Sequence, residues 1–178
     1  MSANNNPPTP SNFTVKKLCD KTDLSSFDCS YDDELRLNDF LHKEAFEYQQ
    51  EDMGVTYLFY NNDNEIAGYV TVAMGFIRKK RTHLSVEGDD KIHFPALWLG
   101  RLAVHNHQRK SGVGTYLIKW CIGFAKKASV DMGCRFIVLV TKEGYRTKFY
   151  TKHGFQKCIV ELDENKKMLF FDLKNAKS

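Results

Sequence analysis

The sequence predicts an α/β fold, and three neighbouring patterns indicate it. Residues 97–104 are apolar except for Gly100 and Arg101, which is typical of a strand that is covered on both faces. From Val113 to Ala128, apolar residues recur at a spacing close to that of a helix. A short polar turn with glycines separates the two segments. We therefore expect a strand–turn–helix unit around which the other elements are arranged.

The N-terminal part is expected to contain a tail, a strand and a helix. Residues 1–12 are rich in Asn, Pro and Ser and are predicted to form a disordered tail. A first strand is expected at 13–19. Ser30 and Asp33 resemble the N-cap and the third helical residue of a capping box, so a helix is predicted from Ser30 to about Gln50. The acidic residues of this helix would form its solvent-facing side.

A β-hairpin and the central strand are expected next. Residues 55–60 and 65–73 are rich in β-branched and aromatic residues, and Asn61–Asn64 between them has turn-forming side chains. A polar connection through His93 follows, and Pro95 is predicted to open the central strand. After the central helix we expect a strand at 134–141, a helix at 145–152 ended by His153 and Gly154, and strands at 155–160 and 168–173.

The composition is that of an ordinary globular protein, with 42% hydrophobic and 27% charged residues. Its 178 residues fit one domain, which we assign to 13–178. No apolar run approaches the roughly 20 residues that cross a bilayer, and the N-terminus lacks the apolar core of a secretory signal. A cytoplasmic protein without membrane contact is therefore predicted. Five scattered cysteines argue against a disulfide framework and are predicted to be buried thiols, not zinc ligands.

Charge is segregated along the chain, although the net charge is only +4. Residues 20–52 carry eleven acidic and three basic residues, whereas 75–119 carry nine basic and three acidic ones. Twelve basic and six acidic residues follow in 120–178. This asymmetry indicates a positive face that meets an anionic partner, with an ordinary solvated surface as the alternative.

The polar turn before the central helix has the features of a phosphate site. Backbone N–H groups of a first helical turn and the positive end of the helix dipole bind phosphate, here beside Arg109 and Lys110. Glycine at 112 and 114 lets a ligand approach the backbone. The glycine spacing differs from the dinucleotide-binding fingerprint and from the P-loop. An anion site is therefore predicted, and a plain strand-to-helix turn is the alternative.

Two motifs resemble those of the GNAT (Gcn5-related N-acetyltransferase) superfamily. Arg109-x-x-Gly112-x-Gly114 resembles its pyrophosphate-binding motif, and Phe149-Tyr-Thr-Lys-His-Gly-Phe155 resembles a second signature. The order of elements also resembles the GNAT fold. This implies an α/β (α+β) fold with a mixed, mostly antiparallel sheet, splayed central strands and flanking helices. It further implies an N-acetyltransferase that moves an acetyl group from acetyl-CoA to a primary amine.

The resemblance implies roles for particular residues. Tyr150 matches the family tyrosine beside the coenzyme A sulfur and would be the general acid, although the Phe149–Tyr150 pair could instead only pack a helix onto the sheet. Backbone N–H groups of the central strand would contact the acetyl group and the pantetheine arm at Leu102, Ala103 and Val104. The residues implied for pyrophosphate binding are Arg109, Lys110, Ser111, Gly112, Val113, Gly114 and Thr115.

The base that deprotonates the amine stays open at this point. His105, His107, Glu143 and ordered water are the alternatives, and a histidine near a loop is often only a surface residue. His105 and His107 have no convergent partners, so no metal site is expected. Glu143 and Arg146 stand where many relatives have Asn and Ala, which changes the contacts on that side of the coenzyme.

The acceptor is addressed by further resemblances. Pro95–Val104 and Phe27-Asp-Cys29 resemble segments of GNAT toxins that acetylate aminoacyl-tRNA, although Ser30 replaces a common Gly. A toxin-like enzyme is the leading interpretation, and an antitoxin partner and a homodimer are compatible with it. The alternatives are a housekeeping N-acetyltransferase for a protein or a small amine, and a non-catalytic module that binds coenzyme A or RNA.

Basic residues near the central strand are the candidates for RNA contacts. Each phosphate contact by Lys or Arg releases counterions, so such contacts dominate nucleic-acid affinity. The alternative is a solvated loop end that keeps a sheet edge soluble. The candidates are Arg78, Lys79, Lys80, Arg81 and Arg101, with Lys142 and Arg146 as helpers.

Overall fold

Seven strands form one mixed sheet in the computed structural model, in the order β1-β2-β3-β4-β5-β7-β6. The structure describes residues 13–31, 33–82, 93–159 and 165–175. β4 and β5 are parallel, whereas the β1–β2, β2–β3, β5–β7 and β6–β7 pairs are antiparallel. The strands are β1 (Thr14–Lys17), β2 (Val55–Tyr60), β3 (Ile66–Arg78), β4 (His93–Val104), β5 (Phe136–Lys142), β6 (Gln156–Lys157) and β7 (Lys166–Asp172).

The helices lie between these strands as the sequence predicts, apart from the start of the first one. They are α1 (Leu37–Asp39), a π-helical turn (Phe40–Glu44), α2 (Ala45–Gln50), α3 (Val113–Met132) and α4 (Tyr145–Lys152). Short 3-10 turns lie at Lys79–Arg81, Asn106–Gln108 and Leu173–Asn175. No helix in the described ranges is both long enough and apolar enough to cross a membrane.

The capping box predicted at Ser30 is wrong. The first helix starts at Leu37, and the Ser30 N–H instead donates to the Asp28 carboxylate at 2.9 Å. The Asp33 carboxylate does cap a helix, but it accepts from the N–H groups of Leu37 and Asn38 at 2.6 and 2.7 Å. The Asp33 carboxylate, four residues before Leu37, thus satisfies the first helical N–H donors in place of the predicted Ser30 cap.

Several strand boundaries also differ from the prediction. β3 continues to Arg78, well past the expected end at Ala73, and β4 begins at His93, so Pro95 lies inside the strand. The tail at 1–12 and most of the connection before His93 lie outside the described residues. The parallel pairing of β4 with β5 covers Ala96 to Trp98, although both strands continue beyond it. This short pairing is what splayed strands produce.

The described chain divides into two compact units. The first comprises Met1–Val72 and Arg101–Lys119, and the second Ala73–Gly100 and Trp120–Ser178. The expected single domain at 13–178 stays a prediction. Buried residues of the first core come from β2, β3 and β4, from the π-helical turn and α2, and from the segments that follow β1 and precede α1: Leu18, Phe27, Cys29, Phe40, Leu41, Ala45, Leu58, Ile66, Tyr69 and Ala103.

The second unit has its own core and contains an ion pair with a buried carboxylate. Its buried core residues are Ile77, Ala96, Phe136, Val138, Met168 and Phe170. At one end of β5, the Arg135 guanidinium donates to both carboxylate oxygens of Asp172, at 2.8 and 2.7 Å. Asp172 is only 4% exposed, so this two-point contact supplies the partner that a buried carboxylate requires.

Two of the five cysteines follow the prediction of buried thiols. Cys29 and Cys121 are buried, and burial raises the pKa of each thiol to about 12. Cys134 and Cys158 are half-buried. Cys19 contradicts the expectation, because it is exposed just after β1 and its pKa is lowered by a hydrogen bond with the Thr22 hydroxyl.

Candidate active site

The loop after β4 is fastened to the segment that precedes α1. The Asn106 backbone N–H donates to the Asp28 carbonyl, and its Nδ2 donates to the Asp28 carboxylate, both at 2.8 Å. The Ser30 N–H donates to the other oxygen of that carboxylate. These bonds, that of Ser30 first, hold the pKa of Asp28 below its usual value. The chain therefore enters the following turn from a fixed position.

The turn that follows has the backbone of an anion site. Lys110 and Gly112 adopt positive φ angles of 62° and 94°. The first helical hydrogen bond runs from the Tyr116 N–H to the Gly112 carbonyl at 3.0 Å. Among the residues described, the N–H groups of Gly112, Val113 and Gly114 have no backbone acceptor. They lie at the positive end of α3, which is the arrangement that binds phosphate.

Side chains of the turn are partly engaged by the protein itself. Arg109 donates from its guanidinium to the Tyr31 carbonyl at 2.8 Å, and its Cζ lies 4.8 Å from the centre of the Tyr31 ring. Because a guanidinium has five N–H donors, this contact leaves others for an anion. The Ser111 hydroxyl donates to the Gln108 carbonyl at 2.5 Å. Lys110 is exposed, so it is the turn's solvent-facing cation.

The end of β4 lies against a glycine of β3 beside the turn. A Cβ on Gly68 would lie 2.7 Å from the Ala103 carbonyl oxygen and 3.1 Å from Leu117 of α3. Only glycine permits this approach, so Gly68 sets the spacing between the sheet and the first turns of α3. Ala103 is buried, and Leu102 and Val104 are half-buried. Their backbone contacts with the acetyl group stay predictions.

Tyr150 lies on α4 in the second unit, half-buried among aromatic rings. Its ring centre is 5.2 Å from that of Phe149 and 5.6 Å from that of Phe155. Burial, followed by the nearby Cys121, raises the pKa of its hydroxyl above the usual value. Within the described ranges that hydroxyl has no hydrogen-bond partner. Tyr150 thus presents a protonated O–H donor at neutral pH.

The structure narrows the choice of base. His105 Nδ1 accepts from the His107 N–H at 3.1 Å, and His105 Nε2 faces the Ser26 carbonyl at 3.0 Å, so Nε2 carries the proton. Both nitrogens of His105 are therefore occupied. The Glu143 carboxylate accepts from Lys157 at 2.9 Å, and this bond lowers its pKa, which weakens it as a base. His107 and water are the alternatives that remain.

The basic run at the end of β3 divides into exposed and packed residues. Arg78 and Lys80 are exposed, and Lys79 is half-buried. The Arg81 guanidinium donates to the Met168 sulfur at 3.4 Å, and its Nε is buried. Arg81 thus packs against the core of the second unit, so phosphate contacts are supported best for Arg78 and Lys80.

The other basic residues that are candidates for RNA contacts pack against aromatic rings or are half-buried. The Arg101 guanidinium carbon lies 4.6 Å from the centre of the buried Phe40 ring. Arg146 lies 4.9 Å from the Tyr145 ring centre, and Lys142 is half-buried. The stems of such side chains can pack while their charged ends remain near solvent. Arg101 is therefore a structural cation of the first unit as well as an RNA candidate.

Some residues around the turn were missed by sequence reasoning. Asp28 and Asn106 carried no signal, because they are far apart in sequence. Gly68 did carry one, since an isolated glycine in a strand indicates a close backbone approach. Beside the fastened loop lies a cavity of about 240 Å³, lined by Ser26, Asp28, Glu65, Ile66, His105, His107 and Gln108. Across the residues that the structure describes, no three His, Cys, Asp or Glu are grouped as a metal site requires.

Comparison with known families defines the class of protein. The profile of the acetyltransferase (GNAT) family matches residues 23–155, which include the turn before α3 and the whole Phe149–Phe155 motif. The chain therefore belongs to the GNAT acetyltransferase family, and it is an acyltransferase. This confirms the fold and the activity class that the two motifs predict.

Particular relatives point to one branch of the family. A tRNA-acetylating toxin of Mycobacterium tuberculosis (strain ATCC 25618 / H37Rv) is 25% identical over 142 residues, or 79% of this chain and 82% of the relative. AtaT complexed with acetyl-methionyl-tRNAfMet superposes with a TM-score of 0.75 at 25% identity, over 92% of this chain and 96% of AtaT. AtaTR bound with acetyl-CoA gives a TM-score of 0.72 at 26% identity, over 92% and 95% of the two chains.

Proposed function

We propose that the protein transfers the acetyl group of acetyl-CoA to the amine of an aminoacyl-tRNA. The observation that carries this proposal is the turn before α3, where the N–H groups of residues 112–114 have no backbone acceptor among the described residues, in a chain of the GNAT family. Support for the acceptor comes from the relatives, one of which is a tRNA-acetylating toxin and another of which is complexed with acetylated tRNA.

Acetyl-CoA is proposed to bind with its pyrophosphate on the turn from Arg109 to Thr115. The turn fits this group because the positive φ of Gly112 turns the chain so that the N–H donors of residues 112–114 find no backbone acceptor in the described part of the chain. Lys110 and the remaining donors of Arg109 would add positive charge. The strand segment 102–104 would offer backbone groups to the pantetheine arm and to the oxyanion.

Tyr150 is proposed to assist the departing sulfur. In the reaction the amine nitrogen bonds to the carbonyl carbon, the C–S bond breaks, and the nitrogen releases one proton. With its pKa raised, Tyr150 is protonated at neutral pH but is a weaker acid than a thiol, whose pKa is near ~8.5. Its hydroxyl therefore donates a hydrogen bond as charge develops on sulfur, and the proton lost by the amine finally neutralises the thiolate.

The proposal that tRNA is the acceptor is supported by a group of exposed basic residues. Arg78 and Lys80 are exposed on the second unit, and no acidic residue occurs between Ala73 and Thr82. They would contact tRNA phosphates. An enzyme that acts on charged tRNA would work in the cytoplasm. A similar toxin, AtaT, was solved with the C-terminus of its antitoxin AtaR, so an antitoxin partner belongs to the same proposal.

An acetylation assay tests the proposal directly. Purified protein is given labelled acetyl-CoA with aminoacyl-tRNA, the same tRNA without its amino acid, a mixture of peptides, or polyamines. Label should appear in aminoacyl-tRNA and should be lost when the aminoacyl ester is hydrolysed. Transfer to peptides or polyamines instead would favour the housekeeping alternative. Acetyl-CoA binding without transfer to any acceptor would favour the non-catalytic module.

A further inference from the structure

One face of β3 in the second unit exposes large apolar side chains. Met74 is 66% and Phe76 56% exposed. Alternate residues of a strand point to opposite faces, so these two share a face with Arg78. The intervening residues face the core: Ile77 is 2% exposed, and a Cβ on Gly75 would meet the Trp98 Cβ at 3.3 Å. The exposed face is therefore fixed by the packing behind it.

An aromatic partner from β4 completes this face. The rings of Phe76 and His93 lie with their centres 4.6 Å apart and their planes at 80°, and His93 is exposed. Because the T-shaped contact already restrains both rings, a ligand that stacks on them loses little binding free energy to the ordering of these side chains. We call Met74, Phe76, Arg78 and His93 the aromatic–basic face.

We propose that the aromatic–basic face stacks an unpaired nucleobase of the tRNA acceptor, with Arg78 and Lys80 contacting the adjacent phosphates. This rests on the proposed tRNA-acetylating function. Proteins that bind single-stranded nucleic acid combine exposed aromatic rings with a cationic track, because every base has a π-face and every nucleotide a charge. Met and aromatic residues also occur at protein interfaces. The run of cations without an acidic residue favours RNA as the occupant.

Binding of short RNAs tests the stacking. The probes are a single-stranded oligonucleotide with 2-aminopurine near its 3′ end and a blunt duplex of equal length. Phe76→Ala should weaken single-strand binding about 5- to 150-fold and abolish the quenching of 2-aminopurine, while duplex binding barely changes. Phe76→Trp should retain both signals. Phe46→Ala, an exposed Phe on α2, is the matched control and should behave as the native protein.

Salt dependence separates stacking from charge. Phe76→Ala should leave the slope of log K against log salt unchanged, whereas Arg78→Ala and Lys80→Ala should each reduce it by about 0.7. Acetyl-CoA affinity should be the same in all variants, which shows that they are folded. Under the proposed function, KM for aminoacyl-tRNA should rise in Phe76→Ala with kcat retained.

The outcomes distinguish this inference from the function on which it rests. A native protein that acetylates aminoacyl-tRNA, together with a Phe76→Ala variant of unchanged RNA affinity and quenching, overturns the stacking and leaves the function intact. A native protein that does not acetylate aminoacyl-tRNA overturns the function itself. If Phe76→Ala converts a dimer to a monomer in sedimentation without altering RNA affinity, the face is an interface between copies and the stacking proposal fails.

Discussion

Asn106 holds Asp28 at two points: the backbone N–H of Asn106 donates to the Asp28 carbonyl and its Nδ2 donates to the carboxylate, each at 2.8 Å. The Asn106 Oδ1 also accepts from the Tyr31 N–H at 3.3 Å, and Tyr31 in turn contacts Arg109. One asparagine thus joins the segment before α1 to the start of the proposed pyrophosphate site. Its side chain positions the turn without belonging to it.

Asn106→Ala should therefore loosen the turn without removing any of its donors. Two side-chain hydrogen bonds are lost and the backbone bond remains, so the Kd for acetyl-CoA should rise about 5-fold, or about 1 kcal/mol. Calorimetry at neutral pH measures the affinity, and hydrogen exchange should show faster opening of residues 26–31. Asn62→Ala, in the hairpin turn of the same unit, is the control.

The Asn106→Ala experiment is done at neutral pH because the Asp28 carboxylate must be ionised to accept its hydrogen bonds. Its pKa is lowered in the folded protein, so the stabilisation from its hydrogen bonds is complete above the unfolded value near ~3.9 and is lost as the pH falls through the folded value. The hydrogen bonds between Asn106 and Asp28, which we call the clamp, are thus fully formed at neutral pH. Equal affinity of the native and Asn106→Ala proteins at pH 7 would show that the clamp does not position the turn.

Gly112→Val should weaken acetyl-CoA binding more than tenfold. The φ of 94° is unfavourable for valine, and the side chain would fill the space that the pyrophosphate is proposed to occupy. Gly123→Ala, on the helix that follows the turn, is the control, because a Cβ at Gly123 would meet nothing within 4 Å. This control should gain up to about 1 kcal/mol of stability with unchanged affinity. A folded Gly112→Val protein with native affinity would place the anion site elsewhere.

Tyr150→Phe should reduce turnover by about 10²- to 10⁴-fold and leave acetyl-CoA affinity nearly unchanged. The ring and its contacts with Phe149 and Phe155 remain, so only the O–H donor is lost. Because the pKa of Tyr150 is raised, native turnover should show no loss from its deprotonation below about pH 10. Single-turnover rates across the pH range provide the measurement. Native rates in the variant would assign the role to another group.

Local signals explain the parts of the fold that the sequence predicts best. β2 and α4 occupy the predicted residues, because a turn-forming run follows β2 and Gly154 with a φ of 89° follows α4. The predicted start of the first helix was wrong because two carboxylates, those of Asp28 and Asp33, are available there as hydrogen-bond acceptors. Asp28 takes the Ser30 N–H and Asp33 takes the first helical donors, and spacing alone does not say which carboxylate caps.

The site was predictable in its backbone and less so in its side chains. A glycine spacing after a strand predicted the turn before α3, and the Tyr150 motif predicted a general acid, whereas the rings of Phe149 and Phe155 around Tyr150 became visible only in the structure. The sequence did not show which basic side chains are packed against the core. Lys80 and Arg81 are adjacent, yet Lys80 is exposed and Arg81 packs against Met168. The contact of Asp28 with Asn106 required the folded chain, because no periodicity links segments so distant.

Arg135→Ala should destabilise the protein by about 3 kcal/mol or more. The substitution leaves the buried Asp172 carboxylate without the guanidinium that donates to both of its oxygens. Urea unfolding at neutral pH measures the loss. The double variant Arg135→Met with Asp172→Leu should recover most of it, because no buried charge is then unpaired. Equal stability of Arg135→Ala and the native protein would show that Asp172 is hydrated in solution.

Cys19 should be the first cysteine to react with iodoacetamide in the folded protein. It is exposed and its pKa is lowered, first by the Thr22 hydroxyl, whereas burial raises the pKa of Cys29 and Cys121 to about 12. Those two thiols therefore carry far less thiolate than Cys19 at neutral pH, and their burial slows attack further. Peptide mapping by mass spectrometry follows each site. Thr22→Val should slow Cys19 specifically, and equal labelling of Cys19 and Cys121 before unfolding would contradict the packing of α3.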